Sequence, residues 1–142
     1  MQDIIAQQIK AQVSRLGVKE LLTAAEVDQA LTGTAGTALV FVNSVCGCAG
    51  GIARPALQMA LNHPVLPDLV ATVFASTDRD ATTRARSYFT GMPPSSPSFA
   101  LLRDGKLVHM IHRSDIETRE PEEVAALLTA AFDAHCPKER PH

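Results

Sequence analysis

Residues 39 to 55 read Leu39-Val40-Phe41-Val42-Asn43-Ser44-Val45-Cys46-Gly47-Cys48-Ala49-Gly50-Gly51-Ile52-Ala53-Arg54-Pro55. An apolar run of β-branched and aromatic residues stops at Asn43. Two cysteines follow with only Gly47 between them, and Gly50-Gly51 opens an alanine-rich apolar segment. This is the pattern of a buried strand, a reactive turn and the start of a helix. Gly47 permits the backbone angles that so short a disulfide ring demands, so dithiol chemistry is the leading reading.

Working outward, Thr37 to Asn43 is uninterrupted by polar residues that would face water, as expected of a strand covered on both faces in a parallel sheet. Ile52, Ala56, Met59, Ala60 and His63 recur at helical spacing, and His63-Pro64 closes that helix. Pro55 is harmless in the first turn if the helix begins near Gly51, and kinks it if the helix begins at Gly47. Leu69 to Ala75 reads as a second buried strand, completing a βαβ unit whose crossover is expected to be right-handed. Ala81, Ala85, Tyr88 and Phe89 predict another helix, with Ser76, Thr77 or Asp78 as its cap and Gly91 as its terminator.

After the loop Met92-Pro93-Pro94-Ser95-Ser96-Pro97, the segments Ser98 to Arg103 and Lys106 to Ile111 flank Asp104-Gly105, a strong hairpin signal. Pro121 with Glu122 and Glu123 starts a last helix whose stripe is Val124, Leu127, Leu128, Ala131 and Phe132. At the other end, Ile5, Ile9, Val13 and Leu16 predict an amphipathic helix stopping at Gly17. Thr23-Ala24-Ala25-Glu26 is a capping box for a second helix ending near Gly33, with Leu22 and Val27 as its hydrophobic staple.

The element order is helix, helix, strand, helix, strand, helix, hairpin, helix. A β-α-β unit followed by a hairpin and a final helix resembles the thioredoxin arrangement, whose reactive cysteines also follow the first core strand. The fold class expected is therefore α/β: a three-layer α/β/α fold on a central mixed four-stranded sheet, with additional N-terminal helices. Residues 1–142 are expected to form a single domain, 1–35 being a helical extension and 37–136 the thioredoxin-like core. Pro97, at the start of the strand leading into the hairpin, stands where thioredoxin-like proteins carry the cis-proline that faces the thiols.

The stretch Val42-Asn43-Ser44-Val45-Cys46-Gly47-Cys48-Ala49, with Ala53-Arg54-Pro55-Ala56, is similar to the signature of the bacilliredoxin family, which has Cys-Gly-Cys in place of Cys-x-x-Cys. Pro94-Ser95-Ser96-Pro97-Ser98 resembles its proline loop. The resemblance implies reduction of mixed disulfides between proteins and bacillithiol, a low-molecular-weight thiol that some bacteria use in place of glutathione. In that family the first cysteine attacks and the second resolves, here Cys46 and Cys48. No cofactor is implied beyond the redox-active Cys46–Cys48 disulfide and bacillithiol as thiol co-substrate. The implied partners are bacillithiolated or disulfide-containing proteins, and disulfide isomerase activity is a further expectation.

The chemistry is consistent with these residues read on their own. The thiolate is the nucleophile in disulfide exchange, and a position just before a helix start supplies the N–H groups and dipole that lower a thiol pKa. Cys46 is expected to attack the mixed disulfide and Cys48 to displace what it holds. A ring closed across one residue is expected to be strained and easily reduced, giving a comparatively oxidising couple. Pro97 in cis would leave the Ser96 carbonyl free to pair with an extended substrate. Arg54 is a candidate for binding the carboxylates of a small thiol or stabilising the thiolate, against the plainer reading of a solvated arginine. Asn43 and Ser44 are candidates for hydrogen-bonding the turn.

Two other functions compete: a metal or iron–sulfur protein, since Cys-x-Cys also ligates metal, and a non-catalytic redox sensor or interaction domain. No metal site is expected, because His63, His109, His112 and His135 have no ligand spacing and no second Cys/His pair is present. Cys136 falls on the helical face of Phe132 and reads as packing, with an intermolecular disulfide as the alternative. The net charge of -2 over 142 residues argues against nucleic acid or an anionic membrane as partner. Met1-Gln2-Asp3-Ile4-Ile5 has no basic region ahead of a long apolar stretch, and three cysteines do not make a secreted disulfide framework, so the cytoplasm is the expected compartment.

Overall fold

The computed structural model describes residues 2–33 and 36–136. In chain order the elements are α1 (Gln2–Ser14), β1 (Lys19–Glu20), α2 (Ala24–Gly33), β2 (Thr37–Asn43), α3 (Arg54–Ala60), β3 (Leu69–Phe74), α4 (Arg79–Arg86), β4 (Ser98–Arg103), β5 (Lys106–Ile111), α5 (Arg113–Ile116) and α6 (Pro121–His135). A π-helical turn, Ala49–Ala53, runs directly into α3.

The sheet has five strands in the order β1-β3-β2-β4-β5, one more than the four expected. The additional strand is β1, two residues parallel to β3 with Lys19 beside Ala71 and Glu20 beside Thr72, followed by Leu21 N–H donating to the Thr72 carbonyl at 2.9 Å. Two residues cannot display a period, which is why the segment between the first two helices carried no strand signal. The other pairings follow the expected plan: β2 parallel to β3, β2 antiparallel to β4, β4 antiparallel to β5. Asp104 (φ 51°) and Gly105 (φ 80°) take the left-handed angles that a two-residue hairpin requires.

β2 is buried at every residue because both faces are covered. Leu39 and Phe41 point into a layer with α3, α6, Val13 and Ile116, whereas Ala38, Val40 and Val42 point into a layer with α2 and α4. The alternation of side chains along one strand thus separates two cores and gives the three layers. Phe41 stacks on Phe99, its partner across β2 and β4, with ring centroids 4.7 Å apart. Phe132 and Cys136 lie buried in the same core, so Cys136 packs.

Two N-terminal expectations need correction. Ile5 is 49% exposed, and the inward face of α1 is set by Ala6 and Val13. The capping box forms, with Glu26 N–H donating to Thr23 Oγ1 at 3.1 Å and Glu26 Oε1 accepting from Leu22 N–H at 3.0 Å. Leu22 is nevertheless 46% exposed, and Leu21 takes the buried place assigned to it. Asp78 is the N-cap of α4, with its carboxylate 2.6 Å from Lys10 Nζ.

Candidate active site

β2 delivers the cysteines to the end of the sheet. Past Asn43 the ladder continues for one bond, Ala75 N–H donating to the Asn43 carbonyl at 2.9 Å, and then the chain turns. Asn43 and Ser44 are buried, and the Asn43 side-chain oxygen accepts the Ser44 N–H at 2.9 Å, closing the turn on itself. The helix begins at once: residues 47 and 48 are helical, and Gly50 N–H donates to the Cys46 carbonyl at 3.3 Å. Cys46 therefore sits at the helix N-terminus, and both cysteines are half-buried free thiols.

Because the helix begins at Gly47, Pro55 falls inside it. The helix accommodates the proline with the π-helical turn, in which Arg54 N–H bonds to the Ala49 carbonyl five residues back.

Cys46 Sγ lies 3.1 Å from Ser44 Oγ. Partial burial alone would push the Cys46 thiol up, but the Ser44 hydroxyl, the Ala49 N–H, the Arg113 charge and the Cys48 N–H all favour the thiolate and together hold the pKa below the ordinary thiol range.

Arg54 is half-buried and turned back onto the chain. Its Nη1 donates to Asn43 Oδ1 at 3.0 Å and to the Ser44 carbonyl at 2.9 Å, bracing the turn that carries Cys46. Its Nη2 crosses Gly50 so closely that a Cβ there would lie 2.7 Å away. Burial lowers the Arg54 pKa and the charge of Cys46 opposes that shift.

The proline loop reaches the site through strand register. Ser98 pairs with Val42, so Pro97 stands opposite Asn43, and the Ser96–Pro97 peptide bond is cis. The loop is held by two arginines: Arg86 Nη2 donates to the Ser95 carbonyl at 3.3 Å and Arg113 Nη1 to the Ser96 carbonyl at 3.2 Å. One lone pair of the Ser96 carbonyl, expected to be free for a substrate, is thus taken and one remains.

Arg113 is the site residue that the sequence reading missed. It opens α5, directly after β5; since Ile111 pairs with Phe99, the residues beyond Ile111 run alongside the proline loop. Its Nε donates to Glu117 Oε2 at 3.1 Å, and the charges of Cys46 and Cys48 both reinforce its protonation after that bond. Among 13 lysines and arginines, no local pattern marks it; only the pairing of three strands brings Cys46, Pro97 and Arg113 to one edge.

A cavity of about 290 Å³ lies behind the proline loop, lined by residues including Arg86, Phe89, Met92, Pro93, Pro94 and Met110, and neither Cys46 nor Cys48 lines it. The dithiol lies outside this cavity, with both cysteines part-exposed. Among the described residues no three His, Cys, Asp or Glu side chains converge on a metal site, and no helix is long and apolar enough to cross a membrane. His63 instead pairs with Asp133 at 2.9 Å, joining the end of α3 to α6.

Residues 1–136 match the family model described as disulphide isomerase. A bacilliredoxin of Koribacter versatilis is 53% identical over 134 residues, 94% of this chain and 92% of the relative. A bacilliredoxin of Geobacillus kaustophilus is 54% identical over 132 residues, 93% of this chain and 90% of the relative. Among solved structures, thioredoxin of Fasciola hepatica superposes with a TM-score of 0.60 at 19% identity, covering 83% of this chain and 99% of that one. Thioredoxin of Malassezia sympodialis gives 0.59 at 16% identity, with 83% and 90% covered. The structural likeness is one of fold, and the sequence likeness is one of family.

Proposed function

The chain belongs to the bacilliredoxin family and is a thiol–disulfide oxidoreductase of thioredoxin fold, and from that premise we propose that it reduces mixed disulfides between proteins and bacillithiol. The observation that carries the assignment of roles is the environment of Cys46: a helix N-terminus, a hydroxyl at 3.1 Å and a nearby guanidinium, all favouring its thiolate. Cys46 is the nucleophile. Cys48, in the first helical turn, is the resolving thiol, and Gly47 gives the link between them its freedom. The backbone at Ser96 and the cis Pro97 receive the extended substrate segment.

In the first step the Cys46 thiolate attacks the bacillithiol sulfur, a Cys46–bacillithiol bond forms, and the protein thiol leaves with a proton from solvent. In the second, Cys48 attacks Cys46, bacillithiol leaves as a thiol, and the dithiol has given up two electrons to become the Cys46–Cys48 disulfide. The compartment that suits these thiols is the cytoplasm. A second activity, disulfide isomerisation, is supported by the description of the matching family model.

The test is a Cys48→Ser variant offered a bacillithiolated protein, with adducts located by intact and peptide mass. Accumulation of bacillithiol on Cys46 is expected. Adduct on Cys136, or none on Cys46, overturns the assignment, and recovery of a scrambled multi-disulfide enzyme by the wild type tests isomerisation separately.

A further inference from the structure

Arg113 is placed by the sheet but only half used by the fold. Its Nε is committed to Glu117 and its Nη1 to the Ser96 carbonyl, while Nη2 has no hydrogen-bond partner among the described residues and the side chain is 44% exposed. A guanidinium with two nitrogens anchored has lost most of its conformational freedom already, so a third bond made by Nη2 costs little ordering. The two anchors also fix where that bond can be made: at the solvent edge beside the loop that precedes Pro97, within electrostatic reach of both sulfurs.

The other cations near the thiols do not offer this. Arg54 has Nη1 bound twice within the turn and Nη2 lying over Gly50, and Arg86, among the described residues, donates to the Ser95 carbonyl on the cavity side of the loop. The carboxylate-binding role expected of Arg54 is therefore better filled elsewhere.

We infer that Arg113 recognises the small-thiol half of the substrate, its Nη2 taking a carboxylate of an acidic low-molecular-weight thiol while that thiol is disulfide-bonded to Cys46. The inference rests on the reading of the protein as a reductant of mixed disulfides and adds the chemical class it prefers. Mixed disulfides whose small thiol is anionic are selected over those with a neutral or cationic thiol. The contact forms as the Cys46 thiolate attacks the small thiol's sulfur, persists while that sulfur is bonded to Cys46, and is lost when Cys48 displaces it as the free thiol. An acidic thiol approaching a thiolate meets repulsion, and a guanidinium whose charge acts on both sulfurs offsets it.

The experiment uses one carrier protein with a single exposed cysteine, blocked in turn with mercaptoacetate, 2-mercaptoethanol and cysteamine. The full-length protein, Arg113→Gln and Arg113→Lys are each assayed for release of the carrier thiol. The wild type is expected to favour the mercaptoacetate adduct over the neutral one by about 5-fold, the scale of an exposed ion pair. Arg113→Gln abolishes or inverts that ratio, and Arg113→Lys keeps part of it. If Arg113→Gln slows all three adducts equally, Arg113 acts only on the thiolate and the inference is overturned. A bacillithiolated carrier is the reference: if the wild type reduces it but shows no preference for the mercaptoacetate adduct, this inference alone is overturned, and if the wild type releases the carrier thiol from none of the four, the functional reading falls and takes this inference with it.

Discussion

The Ser44 hydroxyl oxygen lies 3.1 Å from the Cys46 sulfur, and Ser44 itself is buried at the end of the central strand. A hydroxyl fixed there donates to a thiolate and cannot turn to water instead, so it favours the charged form. Ser44→Ala is expected to raise the Cys46 pKa, slow exchange at neutral pH and make the couple less oxidising, because the reduced form loses the interaction that stabilised it. About 30 mV accompanies each tenfold change in the dithiol–disulfide equilibrium. A redox titration of wild type and variant with glutathione measures it, and an unchanged potential would rule the hydroxyl out.

The same lowered pKa fixes the sign of two pH effects. In the window between the folded pKa of Cys46 and the unfolded value, ~8.5, the folded dithiol protein binds fewer protons than the unfolded chain. The stability gained is fully present above the unfolded value and is lost as pH falls through the folded one. Reduced wild type should therefore gain stability relative to Cys46→Ser as pH rises through that window. Alkylation of Cys46 by iodoacetamide should reach its midpoint below ~8.5. A midpoint at or above that value contradicts the thiolate assignment.

Gly50 leaves room for Arg54 Nη2, which a Cβ would meet at 2.7 Å. The obstacle is the end of a flexible side chain, so Gly50→Ala is expected to fold. Two effects then oppose each other: alanine stabilises a helical position by roughly 0.5–1 kcal/mol, and displacing the guanidinium from Asn43 and Ser44 weakens charged hydrogen bonds worth about 1.5–3 kcal/mol. The second should win by about 1 kcal/mol, with a matching fall in exchange rate. Denaturant unfolding and exchange assays check the pair of effects, and a faster Gly50→Ala enzyme would show that the Arg54 brace is dispensable.

Phe99 stacks on Phe41 in the core shared with α3 and α6 and is 1% exposed. Phe99→Ala is expected to cost about 3–5 kcal/mol, read as a lower urea midpoint at unchanged slope. A loss below about 1 kcal/mol would mean that the two layers repack around the gap.

What the sequence made legible follows from how far each signal reaches. The run from Thr37 to Asn43, the Asp104-Gly105 turn and the stripe on α6 are strong local patterns, and the elements they predict are present. The family resemblance rested on short local stretches, Val42 to Ala49 with Ala53 to Ala56 and Pro94 to Ser98, and the relatives bear the same family name. By contrast, β1 is too short to carry a period, and Arg113 belongs to the site only through strand register. The destination of Arg54 was equally hidden, since whether an arginine faces water or its own turn depends on where the helix begins.

That beginning has a consequence for the phase of the helix. In a regular α-helix each residue turns the chain by roughly 100°, so the direction in which Cys48 points would be dictated by the face on which Ala56, Leu57 and Ala60 must be buried. The wider turn at Ala49–Ala53 inserts an offset between the two. The reactive end is thus aimed at an angle that a regular helix would not give it, and shortening the chain by one glycine at 50 or 51 would rotate the thiols relative to the face that Ala56, Leu57 and Ala60 bury.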